Sequence, residues 1–118
     1  MQDEYIIRTN TEPTKGYRMI IDELKKQTYE AQKTQDIIRL GTLRYLLSEV
    51  KNKEIELRPQ KLEMTDEHVL KVMAKLVKKG DEASEGFKLA GRMDLYDKES
   101  GQVVIVKELL HKFAPTTV

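Results

Sequence analysis

Arg44 and Lys51 stand seven residues apart, so a helix would carry both on one face. Arg39, Lys53 and Arg58 flank them, and Lys78, Lys79 and Arg92 follow later in the chain. A row of guanidinium and ammonium groups of this kind could hold phosphates. The competing reading is a solvated, ion-paired face, because Glu49 with Lys53 and Glu54 with Arg58 are i,i+4 pairs.

Other chemistry finds less support. His68 and His111 are the only histidines, one at a helix start and one in a last helical turn. A metal would need three or four convergent ligands, so no metal and no cofactor is expected, and both histidines read as surface or cap residues. Ser48 has no neighbouring base that would make it a nucleophile. It reads as a small residue permitting helix contact, or as a polar edge. Asp94 with Glu99 could be an acid pair, but capping and solvation explain both more simply. Gly80 and Gly91 belong to neither phosphate-loop pattern, G-x-x-x-x-G-K-S/T or G-x-G-x-x-G. No catalytic residue is assigned.

The composition narrows the class. A chain of 118 residues suffices for one modest domain with a real core. Charged residues make up 35%, and Trp and Cys are absent. This suits a helical protein with Lys- and Glu-rich exposed faces, and it excludes disulfides and thiolate metal sites. The formal net charge of +1 gives no whole-chain attraction to nucleic acid or to an anionic membrane. Any RNA binding needs a local basic patch. No apolar run is long enough to cross a bilayer, so no membrane partner is expected. The opening Met1-Gln-Asp-Glu-Tyr predicts neither a secretory signal nor an Arg-rich transit peptide.

The elements that must position these residues follow from periodicity. Residues 1–16 read as a lead-in, with Thr9 to Gly16 polar and turn-forming. Tyr5-Ile6-Ile7 is a small apolar island that would either dock on a helix or stay loose. Residues 17–113 form a single helical domain, and 114–118 a tail. The first helix runs from Tyr17 to about Lys33, with Ile20, Ile21, Leu24, Thr28 and Ala31 at three- and four-residue steps. Asp36 suits the N-cap of a second helix, Ile37 to Leu57, closed by Pro59. Leu40, Leu43, Leu47 and Val50 predict its packed seam, with Ile37, Leu46 and Ile55 widening it. A close helix crossing would explain Gly41.

Thr65-Asp66-Glu67 opens a third helix carrying Val69, Val72, Met73, Leu76, Gly80, Ala83, Phe87 and Ala90. Gly80 and Gly86 weaken its middle and leave room for a kink or break there, and Gly91 suits a positive-φ end. Asp94 is the expected cap of a fourth helix to Phe113, interrupted at Ser100-Gly101. Val103-Val104-Ile105-Val106 is rich in strand formers, but a lone strand would have nothing to pair with, so helix is preferred. The fold class is all-α, an antiparallel bundle of about four helices.

Three blocks together resemble one family. The first is R-L-x-T-L-R-x-L-x-S-x-[IV]-K-N-x-E-I, matched from Arg39 to Ile55 by Arg44, Ser48, Lys51, Asn52 and Glu54 among others. The second is T-D-E-x-V-L, from Thr65 to Leu70. The third is [FY]-x-x-A-G-R-x-D-L, from Phe87 to Leu95. In this order and spacing they resemble the YqeY family, which is related to the tail domain of the aspartyl/glutamyl-tRNA amidotransferase B subunit. The likeness covers roughly residues 18 to 110.

The resemblance implies an all-helical N-terminal part followed by a smaller three-helix lobe, which here would be short or missing. It implies a tRNA-associated accessory module, with tRNA or an amidotransferase complex as partner. The family-level activity is carbon–nitrogen ligation with glutamine as amido-N donor, but the glutaminase and ATP-binding parts of that machinery lie outside the matched domain. The chain is therefore not expected to catalyse alone. Arg39, Arg44, Lys51, Asn52 and Arg92 become the candidate nucleic-acid surface. The alternative is a non-catalytic helical protein-interaction domain.

This copy departs from the pattern at Lys78-Lys79-Gly80, where relatives carry K-[KQ]-R, and at Leu109-Leu110-His111, where they carry Y-L-P. An absent lobe would leave the helix near Val103 to Phe113 exposed and open to self-association. The expected compartment is the cytoplasm, or the mitochondrial matrix in a eukaryote.

Overall fold

A computed structural model of the chain describes residues 19–115. The lead-in, with its Tyr5-Ile6-Ile7 island, and residues 17, 18 and 116–118 lie outside the described residues. Four helices follow one another: α1 (Met19–Thr34), α2 (Ile37–Leu57), α3 (Asp66–Leu89) and α4 (Met93–Phe113). A 3-10 turn, Arg58–Gln60, extends α2. No strand occurs among the described residues. The all-α expectation holds, and Val103 to Val106 lies inside α4.

Local signals set most of the boundaries. The Asp36 carboxylate accepts the Arg39 backbone N–H at 3.2 Å and caps α2. Pro59, in the first turn of the 3-10 element, marks where α2 stops. Thr65 caps α3 and forms a capping box with His68. The Thr65 N–H donates to His68 Nδ1 at 3.1 Å, and the His68 N–H donates to Thr65 Oγ1 at 3.4 Å. Gly91 has φ +73° in the tight α3–α4 turn, a conformation that costs a side-chain-bearing residue.

Some expectations are corrected. Helix α3 runs unbroken through Gly80 and Gly86, and α4 through Ser100-Gly101. Asp94 is not the cap of α4: Arg92 holds the cap position, and Asp94 lies in the first turn.

The two helical hairpins, α1–α2 and α3–α4, pack on each other. The core joins α1 and α2 to the first half of α3 and the second half of α4. Leu24, Leu43, Leu46, Val69 and Met73 are completely buried, with Val106 and Leu109 beside them. Each such side chain contributes on the order of 1.5–3 kcal/mol by leaving water. The far half of the α3–α4 hairpin projects past this core, which accounts for the elongated 52 × 36 × 26 Å envelope.

The packed stripe of α2 is Thr42, Leu43, Leu46, Val50 and Leu57, with Leu40 and Leu47 at its margins. Ile37 and Ile55 do not widen it. They are 78% and 46% exposed. Each is nine residues from Leu46, about two and a half turns, and so on the opposite side of the helix. Gly41 marks no crossing either, since a Cβ there would meet nothing within 4 Å. The close crossing is at buried Gly80, where a Cβ would overlap Val103 Cγ2 of α4.

One contact ties the hairpins end to end. The Ile20 N–H at the start of α1 donates to Asp66 Oδ1 at the start of α3, at 3.1 Å. Burial pushes the Asp66 carboxyl up to about 6, assisted by the charge of Asp22 and opposed by the Ile20 N–H.

Candidate functional site

The five candidate residues divide among three places. Arg39 faces the neighbouring helices. Its Nη2 donates to Gln27 Oε1 of α1 at 2.8 Å, and its Nη1 lies 4.0 Å from Glu108 of α4. Glu23 of α1 joins this network, accepting from Gln27 at 3.1 Å and pairing with Lys112 of α4 at 3.4 Å. The Gln27 hydrogen bond, with Lys112, holds the Glu23 carboxyl below its usual range. Arg39 therefore helps join α1, α2 and α4.

Arg92 sits at the tip of the projecting hairpin. It binds the Asp94 carboxylate through Nε at 3.3 Å and Nη2 at 3.2 Å, which holds that carboxyl below its usual range. Fourteen residues of helix separate it from Val106 in the core, a rise of about 20 Å.

Arg44, Lys51 and Asn52 remain on α2. Arg44 is exposed and has no ion pair with a described residue. Lys51 Nζ lies 3.4 Å from Glu54 Oε1, and Asn52 Nδ2 donates to Glu49 Oε2 at 3.5 Å. Ser48 is exposed, and its hydroxyl donates to the Tyr45 carbonyl at 2.6 Å. It is a polar edge rather than a point of helix contact.

Asn52 lines a cleft towards α3, whereas Arg44, Ser48 and Lys51 share their face with unexpected company. Ile37, Gly41, Arg44, Ser48, Lys51 and Ile55 line one outer strip of α2, bordered by exposed Ile38 and Tyr45. The strip spans 19 residues, a rise of about 27 Å. It combines large apolar side chains, small residues and two cations. The sequence signal was present in the nine-residue spacing from Leu46 to both isoleucines.

Beside this strip, a cleft of about 210 Å³ opens between α2 and α3. Lys71, Lys75 and Lys79 of α3 and Lys53 of α2 line it. Lys53 binds Glu56 at 2.9 Å, and that hydrogen bond holds the Glu56 carboxyl low, with help from Lys75. Lys71 and Lys75 are not among the expected site residues, although their four-residue spacing with Lys79 is plain in the chain.

The helix from Val103 to Phe113 is not left exposed as expected. Val103, Val106 and Leu109 are buried, and Ile105, Leu110 and Phe113 pack against the core. Only Val104 is a large exposed apolar residue there. No cluster of three or more His, Asp or Glu side chains suited to a metal occurs among the described residues. No described helix is long and apolar enough to cross a membrane.

Comparison with known proteins agrees with the motif blocks. The family model described as "Yqey-like protein" matches residues 21–117. Altered inheritance of mitochondria protein 41, mitochondrial, of Lachancea thermotolerans is 30% identical over 105 residues, covering 89% of this chain and 55% of that protein. Its namesake in Kluyveromyces lactis is 35% identical over 95 residues, 80% of this chain and 50% of that protein. An uncharacterized protein of Schizosaccharomyces pombe is 32% identical over 91 residues, 77% of this chain and 72% of that protein. The chain thus spans about half the length of the two mitochondrial relatives.

Proposed function

This chain belongs to the YqeY-like family, and we propose that it serves there as a non-catalytic helical interaction domain that docks a protein partner on the outer strip of α2. One observation carries the reading: Ile37 and Ile55 stand exposed on the same strip as Arg44, Ser48 and Lys51. No described helix covers these isoleucines, whereas a partner would gain from covering them. Small Gly41 and Ser48 between them allow close approach of another element.

A photo-crosslinking residue placed at Arg44, with one at Asp97 of the α3–α4 hairpin as control, tests this in the source cell. A discrete adduct from position 44, absent from position 97 and lost in Ile37→Lys/Ile55→Lys, is the expected result. Equal, diffuse labelling from both positions refutes it.

Association with tRNA, or with an amidotransferase complex, is the second reading. Arg44 supports it, as a cation without an acid partner among the described residues. Lys51 and Arg92, each beside a carboxylate, support it less. Bulk tRNA binding that weakens with salt and with Arg44→Ala would favour it. The amidation activity has no supporting site among the described residues. For the compartment, the word "mitochondrial" in the relatives' names favours the organelle matrix over the cytoplasm if the source is a eukaryote.

A further inference from the structure

The α2–α3 cleft is separate from the outer strip of α2, and its chemistry names a ligand. Lys71, Lys75 and Lys79 follow one another at four-residue steps, so their ammonium groups succeed each other about every 6 Å along α3. None of the three has an ion pair with a described residue, whereas Lys53 opposite is held by Glu56. Between the two rims, half-buried Val72 and Leu76 form an apolar floor.

We propose that this cleft receives an amphipathic acidic helix of a protein partner, its apolar edge on Val72 and Leu76 and its carboxylates, one turn apart, on Lys71, Lys75 and Lys79. The match is one of spacing as well as sign. Glutamates at i, i+4 and i+8 of an incoming helix repeat with the same rise as the lysines. An apolar edge laid between charged rims is the usual helix-in-groove mode.

A nucleic-acid strand fits less well. No arginine lines the cleft to grip phosphate bidentately, and no aromatic ring is present to stack a base. Val72 and Leu76 would gain nothing from a phosphate backbone, whereas the apolar edge of a helix would be covered by them.

The test is fluorescence anisotropy of the whole chain with four labelled probes. These are a short helical peptide with leucines on one edge and glutamates at four-residue steps, its scramble of equal composition, its lysine counterpart, and a short single-stranded RNA. The acidic helix should bind in low salt, weaken with added salt, and lose about tenfold in affinity with Lys71→Glu/Lys75→Glu. Lys71→Gln/Lys75→Gln should show a smaller loss and serves if charge reversal disturbs the helical signal. Ile37→Lys/Ile55→Lys should leave peptide binding unchanged, so failure of the outer strip and failure of the cleft are told apart. Equal binding of the scramble, indifference to both lysine variants, or RNA bound through these lysines in place of the peptide would each overturn the proposal.

Discussion

Substituting Gly80 by alanine should destabilise the protein, although alanine is the better helix former. In a helix interior the exchange alone gains about 0.5–1 kcal/mol. At Gly80, however, the new Cβ would overlap Val103 Cγ2, with Glu99 Oε2 only 3.3 Å away. Val103 is 6% exposed and β-branched, so its side chain has little freedom to turn aside. Overpacking of this kind costs about 1–3 kcal/mol, which leaves a net loss of about 1–2 kcal/mol. That corresponds to a fall of several degrees, roughly 4–8 °C per kcal/mol, in the unfolding midpoint. Gly41→Ala and Gly86→Ala are the controls. Neither new Cβ meets anything within 4 Å, so each should stabilise by about 0.5–1 kcal/mol. Val103→Ala alone should cost about 2 kcal/mol for lost burial and the void. Combined with Gly80→Ala, the new methyl fills part of that void, and the pair should fall short of additivity by about 1–2 kcal/mol. Urea denaturation followed by helical circular dichroism reads all five proteins. The close-crossing account is refuted if Gly80→Ala stabilises as Gly41→Ala does, or if the two changes simply add.

Asp66 should make stability fall as pH rises. Its folded-state value of about 6 lies above the ordinary 3.8, so the native state favours the neutral form. The resulting stability is fully present below about pH 4 and lost as pH passes 6, an effect of about 1 kcal/mol once solvent screening at this half-buried group is allowed for. Asp66→Asn, which keeps an acceptor for the Ile20 N–H, should remove that part of the slope in denaturation curves taken at mildly acidic and neutral pH. Ser84 Oγ is buried with no hydrogen-bond partner among the described residues, so Ser84→Ala should stabilise by about 1 kcal/mol. A loss there would mean that the hydroxyl is satisfied. Thr65→Ala should cost about 1 kcal/mol by opening the α3 capping box, with early amide exchange at His68 as the local sign. Arg39→Ala should lower stability by about 0.5–1 kcal/mol through its contacts to Gln27 and Glu108, whereas Arg44→Ala should stay within about 0.5 kcal/mol of the parent.

What could be read along the chain was whatever a single helix decides for itself. Asp36, Pro59, Thr65 and Gly91 mark ends through their own backbone chemistry, and the structure uses all four. The buried face of α1 was equally plain, because Ile20, Ile21, Leu24 and Ala31 keep to one side. Difficulty began where meaning depends on another helix. A glycine looks the same at positions 41 and 80, and only Val103 makes one of them a crossing. Asp66 and Ile20 are 46 residues apart, so no local pattern joins them. Arg39 carries a family motif position and a charge suited to phosphate, yet α1 and α4 occupy its guanidinium. The α2 seam is narrower than its apolar residues suggest, because Ile37 and Ile55 lie half a turn round from Leu46, and that angle places them on the outer strip.

The strip also shows why ion pairing alone cannot decide between a nucleic-acid and a protein partner. Lys51 with Glu54 is an exposed pair worth at most about 1 kcal/mol, so a phosphate could displace the carboxylate at little cost. Asn52 is held no more firmly by Glu49. The discriminating term is apolar. Covering a large aliphatic or aromatic side chain contributes on the order of 1.5–3 kcal/mol when complete, and Ile37 and Ile55 on the strip, with Tyr45 at its border, stand ready to supply it. A phosphate backbone collects almost none of that energy, whereas a protein surface with its own apolar centre collects most of it. Partial coverage of the three would already outweigh the exposed ion pairs of this helix. Arg44 and Lys51 then act at the margin of such a contact, setting the charge and orientation of what binds rather than supplying its affinity.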